Sequence, residues 1–154
     1  MSEDVLELEV AEALWTLGLL KLDLLPNVAI KALESELDSP SLRQLAGLDI
    51  SELGDADRLF EKTLRELGRE KLTRTQAVLS YAVYVSNEIV SGREEPHCGA
   101  RKIWKATLKL EDRNFHDLDP FIYACGESAN RPEDREFFSS EIIKEAARVI
   151  EKNK

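Results

Sequence analysis

The chain has 154 residues, 43% of them hydrophobic and 33% charged, with seven glycines and five prolines. That profile excludes a disordered chain and suits one folded domain, long enough to bury a core without metal or disulfide staples. Its 30 acidic residues against 21 basic ones leave a net charge of −9, which repels nucleic-acid phosphates and anionic membrane surface and favours basic partners or simple solubility.

The opening MSEDVLELEVAEALW is acidic where a secretory leader would be basic. No apolar stretch reaches the ~18 residues of a membrane span. The expected address is the cytoplasm, where Cys98 and Cys125 would remain free thiols. Neither nucleic acid nor membrane is expected as a partner.

Hydrophobic periodicity is helical nearly throughout, with no convincing strand alternation. It predicts a first helix over residues 4–21, with Leu8, Ala11, Trp15 and Gly18 on one stripe and Glu7, Glu9 and Glu12 facing water. Pro26 suits the first turn of a second helix running through Leu37, because its fixed φ and missing N–H cost nothing there. Ser39-Pro40 repeats the start signal, and the short helix that follows should end at Gly47. Helix resumes near Asp55, with Leu59, Phe60, Thr63, Leu64 and Leu67 forming an apolar face that stops at Gly68.

The segment TRTQAVLSYAVYVSNEIVSG opens on Thr73 and Gln76, which have the spacing of a capping box. Thr75 to Asn87 are thirteen residues without a charge, whereas an amphipathic surface helix shows a polar face every turn. A helix over about 73–91 is therefore expected at the centre of the core, with Gly92 as its stop. From Pro96 to about Leu110, Ala100, Ile103, Trp104, Thr107 and Leu108 share one side, and Arg101, Lys102, Lys105, Lys109 and Arg113 share the other. Asp119-Pro120 and Arg131-Pro132 mark the last two helix starts. The whole reads as an all-α, compact bundle of six to eight helices around the helix at 73–91. It is taken as a single domain, 1–154, in which an N-terminal helical subdomain 1–54 and a main one 55–154 can be set apart.

The stretch HDLDPFIYACGESANRPEDRE, from His116 to Glu136, concentrates groups that could carry chemistry. Asp119, Asn130, Glu133 and Asp134 read instead as caps for the helices that start there. His97, Cys98, His116 and Cys125 match no common zinc spacing. The GxSxG elbow, the phosphate-cradling GxxxxGK[ST] loop and the dinucleotide GxGxxG fingerprint have no counterpart in the sequence. No catalytic residue, metal ligand or cofactor is therefore assigned. The basic stripe Arg101, Lys105, Lys109 and Arg113 reads as a solvated helix face; its other reading is a grip for a phosphate or an acidic segment. Trp15, Trp104, Tyr81 and Tyr84 read as core.

LDSPSLRQLAGLD (37–49), GREEPHCGARKIW (92–104) and LDPFIYACGESANRPEDRE (118–136) together resemble a group of small, all-helical bacterial proteins with no assigned function. The resemblance implies a bacterial cytoplasmic protein and brings no catalytic residue with it. Residues 1–50 hold ten acids against three bases. The expected function is a non-enzymatic, acidic protein-binding module, immunity- or inhibitor-like, whose face toward a basic partner is formed by Glu7, Glu9, Glu12, Glu34 and Glu36. The alternative is a small hydrolase using His116 with Asp117 or Asp119 and Cys125. A third expectation is a homo-oligomer paired through Leu19, Leu20, Leu22, Leu24 and Leu25.

Overall fold

Where each helix stops is set by local backbone chemistry more than by the length of its apolar stripe. The computed structural model describes residues 5–112 and 114–154, all but the side chain of Ile50. The expected start of the first helix at Asp4, and Arg113 of the basic stripe, lie outside the described residues. Among the described residues the chain is all-α, with no strand. In order come α1 (Leu8–Thr16), α2 (Leu25–Glu34), α3 (Pro40–Ala46), α4 (Ala56–Glu66), α5 (Arg74–Val90), α6 (Pro96–Thr107), α7 (Asp119–Asn130) and α8 (Arg135–Lys152). Short 3-10 turns join them at Leu22–Leu24, Ile50–Asp55 and Pro132–Asp134. The chain divides into two compact units, Met1–Thr73 and Arg74–Lys154, so the first unit holds α1–α4.

In the first unit, α1 ends at Thr16 and not at Lys21. Gly18 takes φ +72°, and the Leu19 N–H donates back to the Leu14 carbonyl at 2.8 Å, the geometry that closes a helix through a left-handed residue. The same device ends α2 early, at Glu34, but there the left-handed position is Glu36, with φ 72°. The Leu37 N–H donates to the Ala32 carbonyl at 3.1 Å. Expected and observed agree at α3, where the Ser39 hydroxyl accepts from the Leu42 N–H at 3.1 Å. Glu66 of α4 adds a cap from outside the helix: its carboxylate accepts from the Ser41 N–H at 2.9 Å and the Ser41 O–H at 2.7 Å.

The core of this unit gathers Leu8, Leu25, Leu42, Leu45 and Phe60 from all four helices. Trp15 meets Phe60 edge-on at 5.6 Å, and its indole N–H donates to Asp57 at 2.7 Å. The leucine run expected to pair between chains is largely used internally. Leu25 is fully buried, Leu20 and Leu22 pack on the core, and Leu19 and Leu24 alone of the five are exposed.

In the second unit α5 packs against α6 and α8, and α6 against α7. Ala77, Val78, Ala82, Val85 and Ile89 are its buried apolar stripe. Most of the remaining residues between Thr75 and Asn87 are half-buried, which accounts for the missing charges. The approach of α6 depends on Gly99, where a Cβ would come within 2.6 Å of Ile89 Cδ1 and 2.7 Å of its Cγ1. α6 ends at Thr107, and Leu108, expected on its apolar side, is 63% exposed.

Two outcomes follow. Gly99→Ala should lower stability by about 1–3 kcal/mol through overpacking, and by distinctly less in an Ile89→Ala background, where both colliding carbons are gone; equal costs in both backgrounds, read from urea midpoints, would contradict the contact. Glu66 is held below its usual value of 4.5, first by the Ser41 N–H and then by the Ser41 hydroxyl. A depressed folded value contributes stability above the unfolded pKa and loses it as pH falls through the folded one. Below pH 4.5 the parent chain should therefore lose stability more steeply than Glu66→Gln; parallel acid profiles would contradict it.

Candidate functional site

Charge is divided unevenly between the two units. Residues 1–73 carry 16 acids against eight bases, net −8, and residues 74–154 carry 14 against 13, net −1. Four of the five carboxylates expected to face a partner are exposed: Glu7, Glu9, Glu34 and Glu36. Glu12 is not. It is 3% exposed, on the inner side of α1, and accepts from Arg69 Nε at 2.8 Å. Glu12 lies one turn after Leu8, so it shares the stripe that faces the core, and the guanidinium just past the end of α4 neutralises it there.

Glu7 reaches Lys31 Nζ at 3.0 Å, and Lys31 also donates to the Val5 carbonyl at 2.9 Å. Lys31 and Glu34 are neighbours on the surface of α2, so the start of α1 and the end of α2 lie side by side. Glu34 sits in the last turn of α2 and Glu36 just beyond it. A carboxylate there meets the negative end of the helix dipole, and Glu36 also holds a left-handed backbone that costs a non-glycine residue roughly 1–2 kcal/mol. Both residues are placed against local stability.

The hydrolase set is not assembled. His116 Nδ1 lies 2.9 Å from Asp119 Oδ2, both groups exposed, and Asp117 sits 3.8 Å from Lys152. His116 and Asp119 line one shallow hollow, while Cys125 lines another. Burial raises the Cys125 thiol above its ordinary range, and a hydrogen bond with Glu95 does the same first at Cys98. Both shifts favour the protonated, unreactive form.

The caps expected in this stretch are also different. Asp119 is the first residue of α7, with Leu118 at the N-cap, and its carboxylate goes to His116. Asn130, Glu133 and Asp134 form no side-chain cap to α8. Asp134 lies 3.8 Å from Arg131 and Glu127 lies 3.3 Å from it, so these acids hold an arginine rather than a helix end. The capping carboxylate is Glu95, which accepts from the His97 N–H at 3.1 Å and the Cys98 N–H at 3.0 Å.

His97, weighed in the sequence only against metal-ligand spacing, is a buried link between helices. It is 6% exposed and joins three helices. Its Nε2 lies 3.1 Å from the Arg135 carbonyl and 3.0 Å from the Ser139 hydroxyl on α8, and its Nδ1 lies 3.0 Å from the Ser128 hydroxyl on α7. A carbonyl can only accept, so Nε2 carries hydrogen, and in the neutral ring the Ser128 O–H donates to Nδ1. The spacing from His97 to Ala100 and Ile103 places it on the buried stripe of α6, which was the available signal. Beside it opens a hollow of about 530 Å³ that also meets Arg101, Trp104, Cys125, Ser128 and Arg135. Among the described residues no three His, Cys, Asp or Glu side chains gather as a donor set for one metal ion.

No protein-family model matches the chain, and neither a curated protein nor a solved structure gives a significant match to it. Among the described residues no helix is long and apolar enough to cross a membrane.

His97→Phe keeps most of the buried volume but strands Ser128, Ser139 and the Arg135 carbonyl. It should cost roughly 1–3 kcal/mol, measured as a fall in urea midpoint; an unchanged midpoint would show that the imidazole ties nothing together.

Proposed function

We propose that the protein is a non-enzymatic protein-binding module of the bacterial cytoplasm, immunity- or inhibitor-like, that offers Glu7, Glu9, Glu34 and Glu36 to a basic partner. Glu12 is left out because its carboxylate is internal. The observation that carries the reading is the placement of Glu34 and Glu36 at the end of α2. Their charge opposes the helix dipole and Glu36 strains the backbone, so neither position is explained by what stabilises the fold. A cost retained on an exposed surface fits a role in contact. The net charge of −8 in residues 1–73 adds long-range attraction for a cationic surface, raising the encounter rate at low salt and competing with any anion that surface binds.

The test sets stability against binding. Glu34→Gln with Glu36→Gly should raise stability by roughly 0.5–1.5 kcal/mol, since it relieves both the dipole clash and the left-handed strain. The same double variant should retain less of a basic protein captured from a lysate of the source cell at about 50 mM salt, and capture by the parent chain should collapse near 500 mM, where the Debye length is a few ångströms. Capture that is indifferent to both salt and the double variant would remove the proposal.

A further inference from the structure

Three hollows along the second unit differ in charge: one has Asp119, Glu141 and Glu145 balanced by Arg131, Lys144 and Arg148, and another has Asp112 and Asp119. The third, beside His97, has no carboxylate; its charged walls are Arg101 and Arg135. In a chain with 30 acids and 21 bases, two guanidiniums facing one concavity without an acid is a distinct electrostatic environment. Lys102 is paired with Glu94, and Arg135 meets Glu95 only at 3.5 Å, at the rim. Arg101 forms no ion pair among the described residues.

Three features of the hollow narrow what it would take. Its volume of about 530 Å³ falls in the range for a small organic molecule. Trp104, Ile122 and Ala129 give it an apolar wall. The backbone amides at the start of α6, the usual donors to a phosphate, are already occupied by Glu95 at 3.1 and 3.0 Å. That leaves the planar guanidinium forks, which match a carboxylate or a phosphate through two parallel hydrogen bonds, and the apolar wall beside them favours the carboxylate of an organic molecule.

We propose that this hollow binds a small organic carboxylate with a planar apolar body, its carboxylate held by Arg101 and Arg135 and its body resting against Trp104 and Ile122. His97 positions the site without touching the ligand's charge: it fixes Ser128 on α7 and the backbone of Arg135 on α8, so the far wall keeps its distance from α6. The site is independent of the acidic face on the first unit.

Calorimetric titration of the full chain with benzoate tests this. Binding should be saturable at one site, and at least about tenfold weaker for acetate, which lacks the ring, and for inorganic phosphate. Arg101→Gln, an exposed substitution, should weaken benzoate by about tenfold or more, the scale of one lost charge-assisted pair. Lys109→Gln, which changes net charge by the same amount just past the end of that helix, should leave it unaltered. No saturable heat, phosphate binding as tight as benzoate, or an equal loss in Lys109→Gln would each overturn the site.

Discussion

Sixteen carboxylates and eight cations cannot all pair within residues 1–73, and the consequences of that surplus run through the first unit. The fold brings one acid inside, Glu12, and gives it Arg69 at 2.8 Å. It uses another, Glu66, to hold the start of α3, and a third, Asp57, to satisfy the Trp15 indole. Each of these converts a charge into a structural contact. The charges left over are carried outward, and at the end of α2 they sit where helix and backbone both resist them. The surplus is thus a property of this unit that these stabilising contacts do not account for.

The second unit is nearly neutral and built on a different principle. Its helices are joined by a buried imidazole that reaches from α6 to α7 and α8, and by a glycine that lets α6 approach Ile89 on α5. Holding those helices at fixed spacing leaves a concavity between them whose walls are cationic and apolar. Two surfaces of opposite character therefore belong to two separate cores, and a ligand for one has no physical reason to suit the other.

Much of the helical framework was legible in the sequence because its signals are local. Ser39-Pro40 started α3, Gly68 and Gly92 followed the ends of α4 and α5, and thirteen uncharged residues marked the α5 core. Helix lengths were less legible where a left-handed residue intervened inside an apolar run, at Gly18 and above all at Glu36, since glutamate gives no sign of that conformation. The polar stretch from His116 to Glu136 was harder still. Which acid caps, which pairs and which meets an imidazole depends on contacts between helices that periodicity does not encode. Glu12 and His97 show the same limit from two sides. Both are polar residues on an apolar stripe, and only the partner brought by another element, Arg69 for one and Ser128 with Ser139 for the other, decides that they are buried.

Hydrogen–deuterium exchange of the full chain, alone and with the basic partner captured at low salt, tests the assignment of the acidic surface most directly. New protection is expected in the backbone amides of α1 and the C-terminal turn of α2, with Glu36 and Leu37, and residues 74–154 should be unchanged. Protection confined to α6–α8, with α1 and α2 exchanging as before, would contradict it.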